Sequence, residues 1–336
     1  IADNATIKFY GVPIFYTPKH SWVLAGRGSG FLTPDYSSYN EPTQSSESYS
    51  LRVPYYVNIA PDRDLLLALT YMSSRRFIYE GKYRQIIAPK RSSSHKNSIM
   101  EVEAKYLPED KITSLSRWLL NFSQEFDLND KTHVRAIYSR VSDAQYFQEI
   151  ARTNTNTEAL NSSLTISYED KDNHLNATIL TEDAQVINAG KPGYTRAIQG
   201  SISKTFNADK KLPIGVSAVS TRFTHDVENK ESGTRTYGEI GASRKLNIDY
   251  PQITPRANVS ITNYSLKNNP DINRTIFGSG LDFDFTYYRN AYMFGYKVNH
   301  QIKPIISYNY RAKKLQGNIP IFDSTDKYDD IISFAD

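Results

Sequence analysis

The sequence predicts an all-β protein whose strands form a transmembrane antiparallel β-barrel, and three features of the chain support this prediction. Apolar and polar residues alternate over stretches of about ten residues, the length of a strand that crosses a bilayer. Short polar turns at one end of the strands and long irregular loops at the other match a membrane barrel. The densest apolar patch is Leu65–Leu69, much shorter than the ~18 residues of a membrane-spanning helix.

The first strand-like segments of the chain contain prolines. Ala5–Tyr10 suits a short strand, and Gly11–Pro18 and Ser29–Pro34 each begin with bulky residues that favour a pleated surface. Each of the last two segments then reaches a proline, which has no N–H to donate to a neighbouring strand. Two consecutive strands of this kind form a weak seam, unless Pro18 and Pro34 simply end their strands.

Farther along the chain, alternation of period two is strict. In each stretch the apolar side chains share one face of a strand and the polar side chains share the other. The apolar sets are Met100, Val102, Ala104 and Tyr106; Trp118, Leu120, Phe122 and Phe126; Leu164, Ile166 and Tyr168; and Leu281, Phe283, Phe285 and Tyr287. One face suits lipid and the other a hydrated interior, and about fifteen strands of ~10 residues are expected.

The joints between strands are of two kinds. Segments 128–131 and 170–173 are short, polar and typical of turns. Longer joints are predicted at 88–98, 142–158, 183–193 and 267–274. Gly26–Gly30 lacks the ending of a phosphate-binding loop and is interpreted as a turn between the first two strands. Only Asp143–Arg152 has a helical pattern, with Asp143 as its capping residue.

Composition excludes some kinds of site. The chain has no cysteine, so neither a disulfide nor a thiolate metal site can form within it. The 25 tyrosines fit wide amphipathic interfaces, although a Tyr-rich soluble β-protein has the same composition. The formal net charge of +4 permits contact with an anionic glycolipid but does not require it.

Few residues suggest chemistry, and neither a catalytic residue, a metal site nor a cofactor is expected. The histidines are scattered without ligand spacing: His20, His95, His133, His174, His225 and His300. Asp282 and Asp284 share a strand face, as paired carboxylates do, but are expected to line a hydrated interior. The basic pairs Arg75–Arg76 and Lys90–Arg91 suit phosphate contacts. Nucleic-acid binding is not expected, since no aromatic and basic stripe is present.

Several motifs, taken in order, carry a family resemblance. They are GVPIFYTP (11–18), SGFLTP (29–34), PYYVNIAP (54–61), YMSSRR (71–76), YLPEDK (106–111), RW (117–118), VSDAQYF (141–147), KPIISY (303–308) and IPIFDS (319–324). This series resembles the LptD family of lipopolysaccharide-assembly proteins. PYYVNIAP is quite specific, and the ordered series is more specific than any one motif. Residues from about 151 to 300 contribute few such signatures.

The resemblance implies a particular domain organisation. Residues 1–10 would end a periplasmic β-jellyroll, and residues 11–336 would be the first, incomplete part of an outer-membrane barrel of about 26 strands. Residues Ile319–Asp336 would lie in or beside a long extracellular loop. The N-terminus would face the periplasm.

The resemblance also implies a function, which is the insertion of lipopolysaccharide into the outer leaflet through a lateral gate. The gate and substrate path would include Gly11, Pro13, Phe15, Tyr16, Pro18, Phe31 and Pro34. The family-signature residues are Pro54, Tyr55, Tyr56, Asn58, Ile59, Ala60 and Pro61. The implied partners are lipopolysaccharide, an LptE-like lipoprotein plug in the lumen, an LptA-like periplasmic bridge protein and outer-membrane lipids. No catalysis is implied.

Two other classes of protein remain as alternatives. A general porin or ligand-receptor barrel would pass small solutes, and the prolines on the first two strands argue against it. A soluble all-β carbohydrate-binding protein or lyase would show the same tyrosine content. Loss of surface lipopolysaccharide on depletion would distinguish an LptD-like protein from a porin. A requirement for detergent in extraction would distinguish it from a soluble protein.

Overall fold

A computed structural model describes residues 2–9, 12–20, 27–40, 47–87, 98–151, 159–187, 193–208, 210–225, 230–246, 248, 250–293, 295–314 and 318–326. These residues form strands almost throughout. The strands are β1 Ala2–Phe9, β2 Val12–His20, β3 Gly30–Phe31, β4 Asp35–Asn40, β5 Glu47–Ala60, β6 Arg63–Met72, β7 Arg76–Ile87, β8 Ser98–Leu107, β9 Arg117–Asn129, β10 Thr132–Val141, β11 Ala159–Asp170, β12 Leu175–Val186, β13 Thr195–Phe206, β14 Ile214–Thr224, β15 Gly233–Ser243, β16 Gln252–Leu266, β17 Ile272–Asp284, β18 Tyr287–Met293, β19 Tyr296–Ile302 and β20 Ile305–Arg311. The all-β prediction is confirmed, with more strands than the fifteen expected.

Most strands belong to one antiparallel sheet of 16 strands. Its order is β20-β17-β16-β15-β14-β13-β12-β11-β10-β9-β8-β7-β6-β5-β3, with β4 also paired to β5. Two further sheets are the pairs β1-β2 and β18-β19. β20 pairs with β17 through Gly278–Asp284, and β2 pairs with β1. Most strands therefore pair with their neighbours in the sequence, which is the arrangement that short turns between antiparallel strands produce.

The chain divides into two compact units. The first contains Ile1–Phe126, Ala136–Ser162 and Gln185–Gly190. Its core lies where loops and strand ends meet, and the buried members are Met72, Ile78, Leu107, Leu119, Val141, Tyr146, Ile150 and Ile187.

The second unit contains Asp127–Arg135, Ser163–Ala184 and Lys191–Asp336. Its buried core is aromatic and consists of Phe223, Tyr264 and Phe322.

The predicted joints agree with the structure in part. Asp130 and Lys131 form the turn between β9 and β10, and residues 171–174 form the turn between β11 and β12. The predicted joint 183–193 is wrong at its start, because β12 continues to Val186. Long joints are not confined to one end of the strands either, because the 88–97 connection follows β7 at the same end as these short turns. Residues 88–97 themselves lie outside the described part of the chain.

The predicted helix at Asp143–Arg152 is reduced to a single π-helical turn, Phe147–Ala151. Asp143 does cap the preceding turn, because its Oδ1 accepts a hydrogen bond from the Gln145 N–H at 3.0 Å. No helix within the described residues has the length and apolar character needed to span a membrane.

Candidate functional site

The two faces of the larger sheet are inverted relative to a soluble sheet. On β6, the apolar Leu67 is 45% exposed, whereas Asp64 is 4% exposed and Thr70 8%. Later strands repeat the pattern: on β16 Ile261 is exposed beside the buried Thr262. Because successive side chains point to opposite faces, one face is apolar and accessible and the other is polar and covered. This arrangement matches the alternation predicted from the sequence.

An aromatic row crosses the apolar face of four neighbouring strands in the first unit. Ring centroids are 6.2 Å apart between Tyr36 and Tyr49, 6.1 Å between Tyr49 and Tyr71, and 5.0 Å between Tyr71 and Phe77. The members come from β4, β5, β6 and β7 in turn. Rows of this kind are typical of the level where a barrel meets lipid headgroups.

The polar face of the first unit carries a ladder of alternating charges. Glu80 lies 3.1 Å from Arg52 and 3.8 Å from Lys105, and Lys105 also lies 3.4 Å from Glu103. These residues come from β5, β7 and β8, so the ladder runs across the strands. A charged face of this kind needs water or a polar partner.

The edge of the larger sheet at β3 and β4 is interrupted. Gly30 and Phe31 pair with Tyr56 and Tyr55, and pairing resumes from Asp35 opposite Arg52. Between these two registers, residues 32–34 face only residues 53–54, which makes a bulge. Across the interruption the Leu32 N–H donates to the Pro54 carbonyl at 3.0 Å.

Two prolines face this interruption. Pro34 lies in the bulge, and Pro54 lies opposite it on β5. In an antiparallel pair the N–H and C=O of one residue point to the same neighbour. Since the Pro54 carbonyl accepts from Leu32, the N–H that Pro54 lacks would also have faced this edge. The sequence singled out Pro34 but did not place Pro54 opposite it, because the opposing strand cannot be identified from either segment alone.

The signature motif fastens the segment that leads into β3. The Tyr56 hydroxyl accepts from Arg27 Nε at 2.8 Å and donates to Asp64 Oδ2 at 3.1 Å. Asn58 Nδ2 donates to the Arg27 carbonyl, and the Asn58 N–H donates to Ser29 Oγ, each at 2.9 Å. The motif therefore ties residues 27–29 to β5 just before the interruption at residues 32–34.

The contacts that hold residues 27–29 against β5 converge on Asp64. It is contacted by Arg27 and accepts two hydrogen bonds from Arg84, Nε to Oδ1 and Nη2 to Oδ2, both at 2.9 Å. The bidentate geometry gives a directional, charge-assisted pair. Pro61 contributes its carbonyl, which accepts from Arg27 Nη1 at 3.4 Å.

The remaining residues predicted for the gate and for the family signature lie on β2, β3 and β5. Phe31 and Tyr55 pack edge to face on the apolar side, with ring centroids 4.9 Å apart. Ile59 and Ala60 end β5, with a bulge between Asn58 and Ala60. Pro13, Phe15, Tyr16 and Pro18 lie on β2, which pairs with β1 and is not a strand of the larger sheet. Gly11 lies outside the described residues.

The prediction that Arg75 meets phosphate is wrong. Its side chain is fully buried, and its Nη1 lies 2.6 Å from Asp110 Oδ2 and its Nη2 3.2 Å from Glu149 Oε2. Arg76 is exposed and pairs with Glu109. The pair Lys90–Arg91 lies outside the described residues. The Arg-Arg sequence gave no signal that the first arginine turns inward and the second outward.

Arg117 extends this buried cluster. It donates to Asp143 through Nε at 2.9 Å and to Glu149 through Nη1 at 2.6 Å. Burial alone would raise the pKa of Asp143, but hydrogen bonds from Arg117 and Ser142 outweigh it and lower that pKa. The cluster fixes the 142–151 segment against the strand ends, and so it is structural.

The paired-carboxylate alternative finds no support. Asp282 accepts from Ser307 Oγ at 2.7 Å and lies 3.1 Å from Arg256, whereas Asp284 lies 2.8 Å from Lys303. Each carboxylate thus has its own partners. Within the part of the chain that the structure describes, no group of three or more His, Asp or Glu side chains is arranged to hold a metal ion.

Comparison with known proteins identifies the family. LPS-assembly proteins LptD match nearly the whole chain: the protein of Neisseria gonorrhoeae is 30% identical, covering 97% of this chain and 40% of its own length. That of Nitrosospira multiformis is 29% identical (96% and 35%), and that of Burkholderia lata is 26% identical (97% and 41%). The chain thus spans about two fifths of the length of these relatives. The family model for LptD, LPS transport system D, matches residues 116–333. Because that match covers more than half of the sequence, the chain belongs to the LptD family.

Proposed function

We propose that this chain is the first part of an outer-membrane barrel that transports lipopolysaccharide and assembles it in the outer leaflet. The observation that carries the proposal is the inverted sheet, with apolar residues such as Leu67 accessible and Asp64 covered, in a chain of the LptD family. An accessible apolar face suits lipid acyl chains, and a polar face suits sugars and water. Transport of this kind requires no catalytic residue from the chain.

The aromatic row supports a membrane location. Tyr36, Tyr49, Tyr71 and Phe77 lie side by side on the apolar face. Tyrosine rings place an apolar body in the hydrocarbon and a hydroxyl among the headgroups. We place this row at one membrane interface, with the N-terminus of the chain toward the periplasm.

The lateral gate is proposed at the β3–β5 edge. Here the bulge at residues 32–34 and the prolines Pro34 and Pro54 interrupt the hydrogen bonds between β5 and its edge partners, β3 and β4. Opening an edge in lipid exposes backbone groups and is costly, so an edge with few bonds lowers that cost. Residues of β2, including Pro13 and Pro18, belong to the proposed entry path on the periplasmic side.

The same proposal includes the domain boundary and the partners. Residues 1–10 would end the periplasmic domain, and residues 11–336 would continue into the barrel. An LptE-like lipoprotein would occupy the polar face, for which the ladder at Glu80 and Lys105 offers charged contacts. An LptA-like protein would deliver the substrate from the periplasm.

The test is depletion of the full-length protein followed by complementation. Loss of surface lipopolysaccharide on depletion, with accumulation in the periplasm or inner membrane, is expected, together with a need for detergent to extract the protein. A porin would instead leave surface lipopolysaccharide intact and change only the permeability to small solutes. Extraction in salt alone would identify a soluble protein. Either of these results would reject the proposal.

A further inference from the structure

The segment 319–326 packs against the polar face of the second unit. Phe322 is buried, and its ring stacks on Phe223 at 4.7 Å with an interplanar angle of 10°. Its centroid also lies 5.0 Å from that of Tyr194 and 6.4 Å from that of Tyr264. Phe322 therefore anchors the segment to strands that are far from it in the sequence.

Two carboxylates beside this anchor form ion pairs with an arginine of β15. Arg235 donates from Nη1 and Nη2 to the two oxygens of Asp323, both at 2.8 Å. Its Nη1 also lies 2.8 Å from Asp326, which in turn accepts from the Tyr264 hydroxyl at 2.7 Å. Arginine also binds phosphate and carboxylate ligands through a planar, bidentate contact of this type.

A cavity of about 450 Å³ lies between the segment and the sheet. Four arginines line it, but only two acidic side chains do. These charged residues are Arg196, Arg235, Arg274, Arg311, Asp323 and Asp326. Glu182 pairs with Arg196 at 2.8 Å through Nε, and the positive groups still outnumber the negative ones. The rest of the lining is rich in hydroxyl and amide groups such as Thr262 and Gln199, which suit the hydroxyls of a sugar.

We propose that this cavity is a transient subsite for the anionic sugar groups of the transported glycolipid, and that Asp323 occupies Arg235 when no substrate is there. The inference rests on the proposed transport function. A sugar-linked phosphate or carboxylate replaces the Asp323 carboxylate on Arg235, and the sugar hydroxyls meet the polar lining. The Asp323 side chain then rotates away from Arg235, while Phe322 and the Tyr264–Asp326 contact keep the segment attached.

This exchange lowers the apparent affinity of the subsite for its substrate. The internal carboxylate competes with the substrate, so the apparent affinity equals the intrinsic affinity multiplied by the fraction of molecules in which Arg235 is accessible. A transporter needs a group that is held briefly and released, and a carboxylate that returns to Arg235 supplies the release step. Removal of the competitor should therefore tighten binding and slow passage.

Photo-crosslinking in cells tests the proposal on the full-length protein. A benzophenone amino acid at Val219, which lines the cavity, should form an adduct with lipopolysaccharide. The yield of the adduct should increase severalfold with Asp323→Asn. It should decrease with Arg235→Lys, which keeps the charge but loses the bidentate contact. Ala218, the adjacent residue on the apolar face, is the control position: any adduct there reports membrane lipopolysaccharide and should not respond to either variant.

Both tests use cells whose surface lipopolysaccharide still depends on the protein. In such cells, the absence of an adduct at Val219 would overturn the subsite, and so would an adduct yield that neither variant changes. If surface lipopolysaccharide does not depend on the protein, the proposed function itself has failed, which is a separate result.

Titration of the purified full-length protein with small probes identifies the ligand class. Glucosamine 1-phosphate should bind about tenfold more tightly to Asp323→Asn than to the unmodified protein. Glucosamine should not bind, and inorganic phosphate should bind more weakly than the sugar phosphate. Equal binding of inorganic phosphate would show that the site does not recognise the sugar, and no binding of the sugar phosphate would reject the site.

Discussion

Arg75 Nη1 lies 2.6 Å from Asp110 Oδ2, and neither side chain has any solvent-exposed surface. The neighbouring pair, Arg76 with Glu109, is more than half exposed on both sides. Two consecutive arginines therefore meet two consecutive acids in opposite environments. Burial makes the first pair expensive to break, whereas water screens the second.

This contrast leads to a stability prediction with a matched control. Asp110→Asn leaves Arg75 buried without its closest partner, so the free energy of unfolding should fall by about 3 kcal/mol, with Glu149 limiting the loss. Glu109→Gln should cost at most about 1 kcal/mol. Urea titration of the full-length protein in lipid vesicles measures both values, and similar losses would contradict the buried-pair assignment.

The two faces of the sheet should differ in their tolerance of charge. Leu67 lies near the middle of β6 on the apolar face, so Leu67→Arg should lower the free energy of unfolding in a bilayer by about 2–4 kcal/mol. Lys82→Gln on the polar face, where Lys82 lies 2.8 Å from Glu101, should cost less than about 1 kcal/mol. Refolding into vesicles gives both numbers, and an apolar face that tolerates arginine equally well does not face lipid.

The prolines at the β3–β5 edge should permit faster export, because they lack the N–H groups that would add hydrogen bonds across the edge. Pro34→Ala adds a donor opposite residues 53–54, and a new bond across the edge should strengthen it by about 0.5–1.5 kcal/mol. We expect normal insertion, judged by heat-modifiable gel mobility, but slower appearance of surface lipopolysaccharide. The same result is expected for Pro18→Ala if β2 takes part in the gate.

Pro255→Ala is the matched control for these variants, because Pro255 lies within β16, opposite Leu281 and away from the proposed gate. Export should be unchanged in this variant. Unchanged export with Pro34→Ala as well would mean that these prolines only interrupt strands, and the gate would then lie elsewhere.

Acid should break the contact between Asp323 and Arg235, and so loosen residues 323–325, over a defined pH range. Burial alone would raise the pKa of Asp323, but hydrogen bonds from Arg235 and Thr325 and the charge of Arg235 outweigh it and lower the pKa to about 2 from 3.8. Since the folded value is the lower one, the stabilisation is complete above pH 3.8 and is lost as the pH falls towards 2.

A spin label at Ser324, an exposed residue of the segment, should report this release as increased mobility below pH 4. In Asp323→Asn the label should already be mobile at pH 7, and the change between pH 4 and pH 2 should be absent. Retention of that change in the variant would assign the titration to another group.

The sequence by itself determined what depends on local pattern. The period-two alternation predicted strands at β8, β9 and β11, and on β11 it assigned Leu164 and Ile166 to the accessible face, because successive residues of a strand must point to opposite sides. The turns at Asp130–Lys131 and at 171–174 followed from residues that favour tight reversals. The ordered motifs identified the family, which the match over residues 116–333 bears out.

Only the tertiary structure decided which distant residues meet. Arg235 and Asp323 are 88 positions apart, and no local preference reveals that an acidic loop returns to an arginine on a polar sheet face. Pro54 was recognisable as part of a motif, but its place opposite Pro34 depends on strand register. Arg75 and Arg76 have the same side chain, and the packing of segments 108–116 and 142–151 alone buries the first. In each case the deciding energy is a contact between separate strands or loops, which the order of strands in space selects.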